Sequence, residues 1–205
     1  HLLFTDGSGE MRFGRIVPFP VDLARLGFIV GLAGKAQGVV IPDACSAMPD
    51  GTVCLSIPLN GMSPGLRGCS LENLAAPLRE LHLSGLNHLS IDRNSWLRDS
   101  SGKVFLVFWG EGLFRLSHGS APEVSAGGYP NVLSDLYMLA GSMLSEGNTT
   151  FASQADALRS GSYEVRLRAA DELSFQFPHL FPVDLSPGLP DFTVLFGGDW
   201  RERDL

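Results

Sequence analysis

Residues 81–110, LHLSGLNHLSIDRNSWLRDSSGKVFLVFWG, decide the fold of this 205-residue chain. Leucines at helical spacing lead into the stretch behind Ser70, a favourable N-cap residue, which predicts a helix before it. Two runs rich in apolar and β-branched residues, 91–97 and 103–108, then flank the turn Asp99-Ser100-Ser101-Gly102. This arrangement predicts an antiparallel hairpin.

The sixty residues at the start of the chain alternate short apolar runs with turn signals, which is typical of a small antiparallel sheet. One hairpin is predicted within residues 2–17 and a second one between residues 39–47 and 53–59. A dense apolar helix is predicted between them, over residues 21–32.

Beyond residue 110, apolar residues at helical spacing from Leu133 to Leu144 predict a buried helix that ends at Gly147. The tail, residues 175–205, is rich in Pro and Phe and has no clear period. The order of strands, one helix, more strands and a helical region predicts an α+β fold.

Composition excludes several classes of function. Hydrophobic residues make up 44% of the chain, enough for one globular core or two small lobes, and no apolar run is long enough to span a membrane. A net charge of −7 argues against a nucleic-acid partner. The nearest basic cluster alternates with acids and is interpreted as a solvated, self-paired face; its arginines are Arg159, Arg166, Arg168, Arg201 and Arg203.

The three cysteines lack the spacing of a metal site. Cys45 and Cys54 flank the turn Met48-Pro49-Asp50-Gly51, and a four-residue turn would place them opposite each other. Both a disulfide and two free thiols are compatible with this pattern. Asn148 begins an Asn-Thr-Thr sequon, a candidate glycosylation site if the protein is secreted.

The order of motifs resembles that of protein kinases. The deciding stretch is similar to the kinase catalytic loop and the hairpin after it, Ala121-Pro122-Glu123 to the end of the activation segment, and Ser134-Asp135-Leu136-Tyr137 to the buried helix beyond. Residues 57–61 take the place of the hinge between lobes. The resemblance implies a protein kinase-like fold, with a reduced antiparallel β N-lobe over residues 1–60 and a mainly α-helical C-lobe over residues 61–205.

The residues that would transfer phosphate are replaced in this alignment. Ser90 stands at the position of the catalytic Asp, Ser95 at that of the metal-binding Asn, and Phe108 at that of the Asp of the Asp-Phe-Gly triplet. A serine hydroxyl is no proton acceptor at neutral pH, and a phenyl ring binds no hard cation. A shift of register could bring Asp92 or Asn94 into the site, but Phe108 would still leave the main metal position empty.

The nucleotide side of the cleft is equally incomplete. No lysine or glutamate lies within residues 11–34, where a kinase carries the pair that holds the phosphates. Arg15 is the one plausible replacement for the lysine, and Asp22 is the one acid within the same residues. The expectation is therefore no ATP binding, no metal and no cofactor.

The resemblance also assigns scaffold roles. His88 and Gly110 belong to the catalytic loop and to the remnant of the metal-binding triplet. Asp135 would accept hydrogen bonds from the amides of the His88 loop, and Glu123 would pair with Arg166 or Arg168. Ser90, Ser95 and Phe108 should meet in one cleft that is occluded or apolar.

These features predict a catalytically inactive pseudokinase that binds proteins, as a scaffold or as a regulator, with an active kinase as one candidate partner. Alternatives are a noncanonical nucleotide-binding enzyme with residual phosphotransfer chemistry, and an unrelated α+β interaction domain. The missing phosphate loop and low lysine content are similar to those of secreted rhoptry-type pseudokinases of apicomplexan parasites. That family would imply export to a parasitophorous vacuole or cyst wall and partners there; the alternative is a cytoplasmic protein.

Overall fold

The computed structural model describes residues 1–17, 21–113, 119–128, 130–147 and 151–181. Strands and helices alternate in the first part of this region, and helices dominate the rest. The strands are β1 (Leu2–Thr5), β2 (Met11–Val17), β3 (Val39–Val40), β4 (Ala44–Ala47), β5 (Val53–Pro58), β6 (Ser63–Pro64), β7 (Trp96–Arg98) and β8 (Val104–Val107). The helices are α1 (Leu23–Ala33), α2 (Leu71–Leu83), α3 (Pro122–Ser125), α4 (Val132–Ser145), α5 (Ala152–Leu158) and α6 (Tyr163–Gln176).

The first sheet has the strand order β1-β2-β5-β4, with antiparallel neighbours throughout. The predicted first hairpin is confirmed: Asp6 closes its turn by accepting hydrogen bonds from the amides of Ser8 and Glu10 at 2.9 and 3.1 Å. Helix α1 follows β2 as predicted, and the Asp22 side chain caps its first turn. Leu26 and Ile29 lie on its buried face.

The predicted second hairpin is only half correct. Strand β4 pairs with β5, but Val39 and Val40 leave this sheet and pair in parallel with β8, Val39 opposite Leu106. The short segment with Pro42 separates the two strands, because proline lacks the amide that a continuous strand would donate. A few residues of the first lobe thus belong to the second sheet.

The predicted opposition of Cys45 and Cys54 is wrong by one residue. Cys45 lies opposite Leu55 and Cys54 opposite Ser46, so the two thiols point to opposite faces of the sheet and both are free. Gly51 adopts a φ of +84°, which adds a residue to the turn, and the Met48 amide donates to the carbonyl of Thr52. No Cys45–Cys54 disulfide forms in this register.

The second sheet has the order β3-β8-β7-β6 and contains the hairpin predicted from the deciding stretch. Asp99 organises the turn by accepting from the amides of Ser101 and Lys103 at 2.9 and 3.0 Å. Helix α2 begins at the predicted Ser70 cap and packs against β8. After β5, residues 59–62 form the turn that leads from the first sheet to β6.

The remaining helices form the second half of the core. Helix α4 begins at Asn131 with a reciprocal capping box to Ser134 and ends before Gly147, in agreement with the prediction. It packs against α5 and α6. Neither helix was predicted from the sequence. In α6 the buried residues include Arg166, Ala169 and Ala170, which carry little hydrophobic signal. Among the described residues no helix has the length and apolarity to cross a membrane.

Candidate functional site

Ser90, Ser95 and Phe108 meet around the ring of His88. The His88 ring lies edge-on to Phe108 at 5.5 Å, and its Nε2 lies 2.8 Å from the carbonyl oxygen of Val107. Ser95 donates to the Ser90 carbonyl at 3.2 Å and accepts from the Val107 amide at 2.8 Å through its own carbonyl. The loop and the hairpin that follows it are therefore joined at the predicted place.

Phe108 and Trp109 form an aromatic core at the back of the cleft. Both side chains are fully buried, and the Trp109 ring lies 5.6 Å from that of Phe13 on β2. Gly110 has a φ of +77°, and a Cβ there would lie 2.7 Å from Leu26 of α1. Glycine is thus required on two grounds, since it tolerates the backbone conformation and lets α1 approach.

The front of the cleft is occluded, one of the two expected alternatives, but the groups that fill it are polar and not apolar. Arg15 extends from β2 across the cleft, forms an ion pair with Glu111 and donates to the Ser90 hydroxyl at 3.0 Å. Asp92 lies 3.6 Å from the same guanidinium. Ser90 in turn donates to Glu111 at 2.8 Å. We call these four residues the Arg15 cluster; it occludes the cleft with paired charges instead of aromatic surface.

Glu111 is the residue that the sequence analysis missed. It directly follows Phe108-Trp109-Gly110 and begins a short 3-10 helix, and its side chain is only 8% exposed. Burial raises the pKa of Glu111, while the Arg15 guanidinium acts in the opposite direction. The one available signal was an isolated acid directly after Phe108-Trp109-Gly110. Asp22 caps α1 and pairs with Arg25. It is therefore not the acid that pairs with Arg15.

Asp92 and Asn94 form a local turn. Asp92 Oδ1 accepts from the Asn94 amide at 2.7 Å and from the Ser95 hydroxyl at 3.3 Å. Its second oxygen faces Arg15. Within the part of the chain that the structure describes, no three acidic, His or Cys side chains are grouped as a metal site would need. Both oxygens of Asp92 are therefore engaged in this conformation.

Asp135 makes the contacts that the resemblance implied. From the first turn of α4 it accepts hydrogen bonds from the amides of His88 and Leu89 at 2.7 and 2.8 Å, and His82 Nε2 lies 2.9 Å away. Leu89 has a φ of +57°, which is unusual for a leucine. A fully buried carboxylate thus holds the loop in a strained conformation.

His88 is a neutral ring in this environment. Burial lowers its pKa, although nearby Asp135 opposes the effect. Nε2 faces the Val107 carbonyl, and Nδ1 accepts from the Ser90 amide at 3.3 Å, which assigns the proton to Nε2. His88 therefore connects the loop to β8.

Glu123 pairs with Arg166, one of the two arginines expected from the resemblance. Arg166 is almost fully buried and also donates to the Ser160 carbonyl at 2.7 Å. Ser134 donates to the other oxygen of Glu123 at 2.8 Å. This network joins α3, α4 and α6. Asn148, the candidate glycosylation site, lies outside the described residues.

No family model matches the sequence, and no curated protein matches it. Solved structures do match its fold. The PknI kinase domain of Mycobacterium tuberculosis is 14% identical, with a TM-score of 0.51 over 85% of this chain and 89% of that one. A double mutant of the same domain gives a TM-score of 0.56 over 83% and 87%, again at 14% identity. The chain therefore has an α+β, protein kinase-like fold, with an antiparallel N-lobe sheet and a helical C-lobe.

Proposed function

We propose that this chain is a pseudokinase that transfers no phosphate and works by binding other proteins. The observation that carries the proposal is the Arg15 cluster. In a kinase the strand lysine holds the nucleotide phosphates. Here the corresponding guanidinium is already held by Glu111, Asp92 and Ser90. A nucleotide would have to break these contacts before it could use Arg15.

The groups needed for chemistry are also absent from the positions that would carry them. The Ser90 hydroxyl donates a hydrogen bond to Glu111 and cannot act as a base toward a substrate hydroxyl. Phe108 offers a buried ring where a carboxylate would bind the cation. These replacements support loss of phosphoryl transfer, because each removes a different part of the mechanism.

A thermal-shift titration with ATP and Mg²⁺ tests the proposal. Any ligand that binds the native state raises the melting temperature by mass action, so we expect no shift with ATP, with Mg²⁺ or with both. Incubation with radiolabelled ATP should leave the chain and added protein substrates unlabelled. A dose-dependent shift of several degrees, or incorporation of label, would refute the proposal.

The second candidate is a noncanonical nucleotide-binding enzyme, and one observation favours it. Asp92 and Glu111 share a single guanidinium, so displacement of Arg15 would leave two carboxylates facing the cleft. If this candidate is correct, Arg15→Ala should create a Mg²⁺-dependent thermal shift. We expect instead that Arg15→Ala binds neither Mg²⁺ nor ATP, because Phe108 still fills the deeper position.

Export and a rhoptry-type ancestry belong to the same proposal. Of the two sequence features that agreed with export, the Cys45–Cys54 bond does not form and Asn148 lies outside the described residues. Expression in a secretory host with an added signal peptide would test the sequon. A loss of mass on treatment with peptide N-glycosidase, absent in Asn148→Gln, is the expected outcome; retention of the same mass would contradict it.

A further inference from the structure

A second cavity lies on the helical lobe, outside the Arg15 cluster. It is open to solvent, has a volume of about 450 Å³, and is lined by the catalytic-loop residues 91–94 and by one face of α4. Arg159, directly after α5, forms its far wall. We call it the Arg159 groove. Its volume is within the range of sites that bind small ligands or short peptide segments.

Two guanidiniums in this groove lack an acidic partner. The sequence predicted that Arg159 belongs to a solvated, self-paired face. In the structure neither Arg159 nor Arg93 forms an ion pair within the described ranges. Asp92 is the one acid in the lining, and its two oxygens are engaged by the Asn94 amide and by Arg15. The groove therefore carries unbalanced positive charge on a chain whose net charge is −7.

Arg159 is held in place before any ligand arrives. Its guanidinium stacks on the Tyr137 ring at 3.9 Å. A Cβ at Gly141 would lie 3.1 Å from a terminal nitrogen of Arg159, so the glycine leaves room for this position. A guanidinium that is fixed by stacking loses little conformational freedom when it binds a carboxylate. Ser145 and Asn94 belong to the same lining.

We propose that the Arg159 groove binds an acidic segment of a partner protein, with Asp or Glu side chains on Arg159 and Arg93. Clusters of arginine recognise anionic peptide motifs through charge-assisted, bidentate hydrogen bonds. This inference rests on the proposed protein-binding function and names its surface and the charge of the partner. It does not require the cleft to be empty, since the Arg15 cluster and the groove use different arginines.

The test uses the full chain and a fluorescein-labelled decapeptide of alternating glutamate and glycine. Fluorescence anisotropy should show saturable binding at up to about 1 mM protein, and weaker binding when salt is raised from about 50 to about 300 mM. The matched peptide with glutamine at every glutamate position should bind at least about tenfold more weakly. Absence of binding, or equal binding of the two peptides, would overturn the proposal.

Two variants locate the site. Arg159→Gln and Arg93→Gln should each raise the Kd for the acidic peptide several-fold and reduce its dependence on salt. Arg168→Gln is the matched control, because Arg168 is exposed on α6 and removes the same charge outside the groove. Arg93 is exposed, so its variant should fold even if the loss of Arg159 disturbs α5.

Equal effects of Arg93→Gln, Arg159→Gln and Arg168→Gln would show unspecific attraction and would overturn the assignment of the groove. An ATP-induced thermal shift alongside unchanged peptide binding would refute the pseudokinase proposal and leave the groove assigned. The two failures are therefore distinguishable.

Discussion

At the scale of single residues, the Arg15 guanidinium compensates the charge of a carboxylate, Glu111, that would otherwise be buried with only the Ser90 hydroxyl as a partner. The Arg15 side chain is 16% exposed and that of Glu111 8%, so solvent screens their pairing only in part. Arg15→Met should lower the free energy of unfolding by about 2–4 kcal/mol, because it leaves Glu111 uncompensated. Urea denaturation followed by circular dichroism measures this change.

The matched control is the double variant Arg15→Met/Glu111→Gln. It removes both charges, so most of the lost stability should return, and the coupling between the two substitutions should exceed about 1 kcal/mol. Additive losses in the two single variants would mean that the ion pair contributes nothing. Arg168→Met, an exposed arginine on α6, should change stability by less than about 0.5 kcal/mol.

The pH dependence of Glu111 has a defined sign. Burial raises its pKa above the ordinary value of 4.5. The folded state therefore holds this proton more tightly than the unfolded state, and the stability that Glu111 contributes is complete below the unfolded pKa and is lost as pH rises through the folded pKa. The difference in unfolding free energy between wild type and Glu111→Gln should fall from about pH 4 to about pH 7.

Asp99 provides a control of opposite sign. The Ser101 hydroxyl lowers the pKa of Asp99, so its contribution is present at neutral pH and is lost as pH falls. The difference in unfolding free energy between wild type and Asp99→Asn should therefore rise with pH up to about pH 4, near the ordinary pKa of 3.8, and stay level above it. A Glu111 difference that also increases would show that Arg15 outweighs burial at this site.

At the scale of elements, the approach of α1 to Phe108-Trp109-Gly110 depends on Gly110. Gly110→Ala should be destabilising for two reasons: a φ of +77°, and a Cβ that would lie 2.7 Å from Leu26 and 3.3 Å from Val30. Gly102 has a φ of +87° but nothing within 4 Å of an added Cβ. Gly102→Ala therefore measures the backbone cost alone, about 1–2 kcal/mol.

We expect the loss of unfolding free energy to be about 1–3 kcal/mol larger for Gly110→Ala than for Gly102→Ala, the usual range for overpacking a core. Thermal or urea denaturation of the two variants gives the comparison. Adding Leu26→Ala to Gly110→Ala should restore only part of this additional loss of unfolding free energy, because Val30 still lies close to the added Cβ. Equal losses of unfolding free energy in the two alanine variants would show that α1 shifts to make room for the added Cβ without a measurable loss of stability.

The elements that sequence predicted best were those with an intact local signal. Ser70 predicts the start of α2, and the Asp99 turn predicts the β7–β8 hairpin. Both signals are local, because a cap and a tight turn are determined by adjacent residues. The two failures have different causes, one non-local and one a backbone conformation within the turn. The parallel pairing of Val39 with Leu106 depends on a partner far along the chain, and the register of Cys45 depends on the φ of Gly51.

At the scale of the whole molecule, the order of motifs predicted which segments would meet but not what would fill the space between them. Ser90, Ser95 and Phe108 gather around His88 because the kinase-like order of segments carries over. The Arg15 cluster joins β2, the loop that carries Ser90 and Asp92, and the residue after Gly110. No local pattern links Arg15 with Glu111, so only the three-dimensional structure reveals their pairing.

These contacts couple the two lobes, so we expect the chain to unfold as one cooperative unit. Trp109 packs on Phe13 of the first sheet, whereas Trp96 is buried in the second sheet opposite Leu106. In the background Trp200→Phe, the further changes Trp96→Phe and Trp109→Phe leave one reporter each. The two fluorescence transitions in urea should coincide with each other and with far-UV circular dichroism. An earlier transition of the Trp109 reporter would mean that the lobe contact opens separately. In that case the Arg15 cluster and the Phe13–Trp109 contact would be too weak to keep the cleft closed, and a nucleotide could enter it before the helical lobe unfolds.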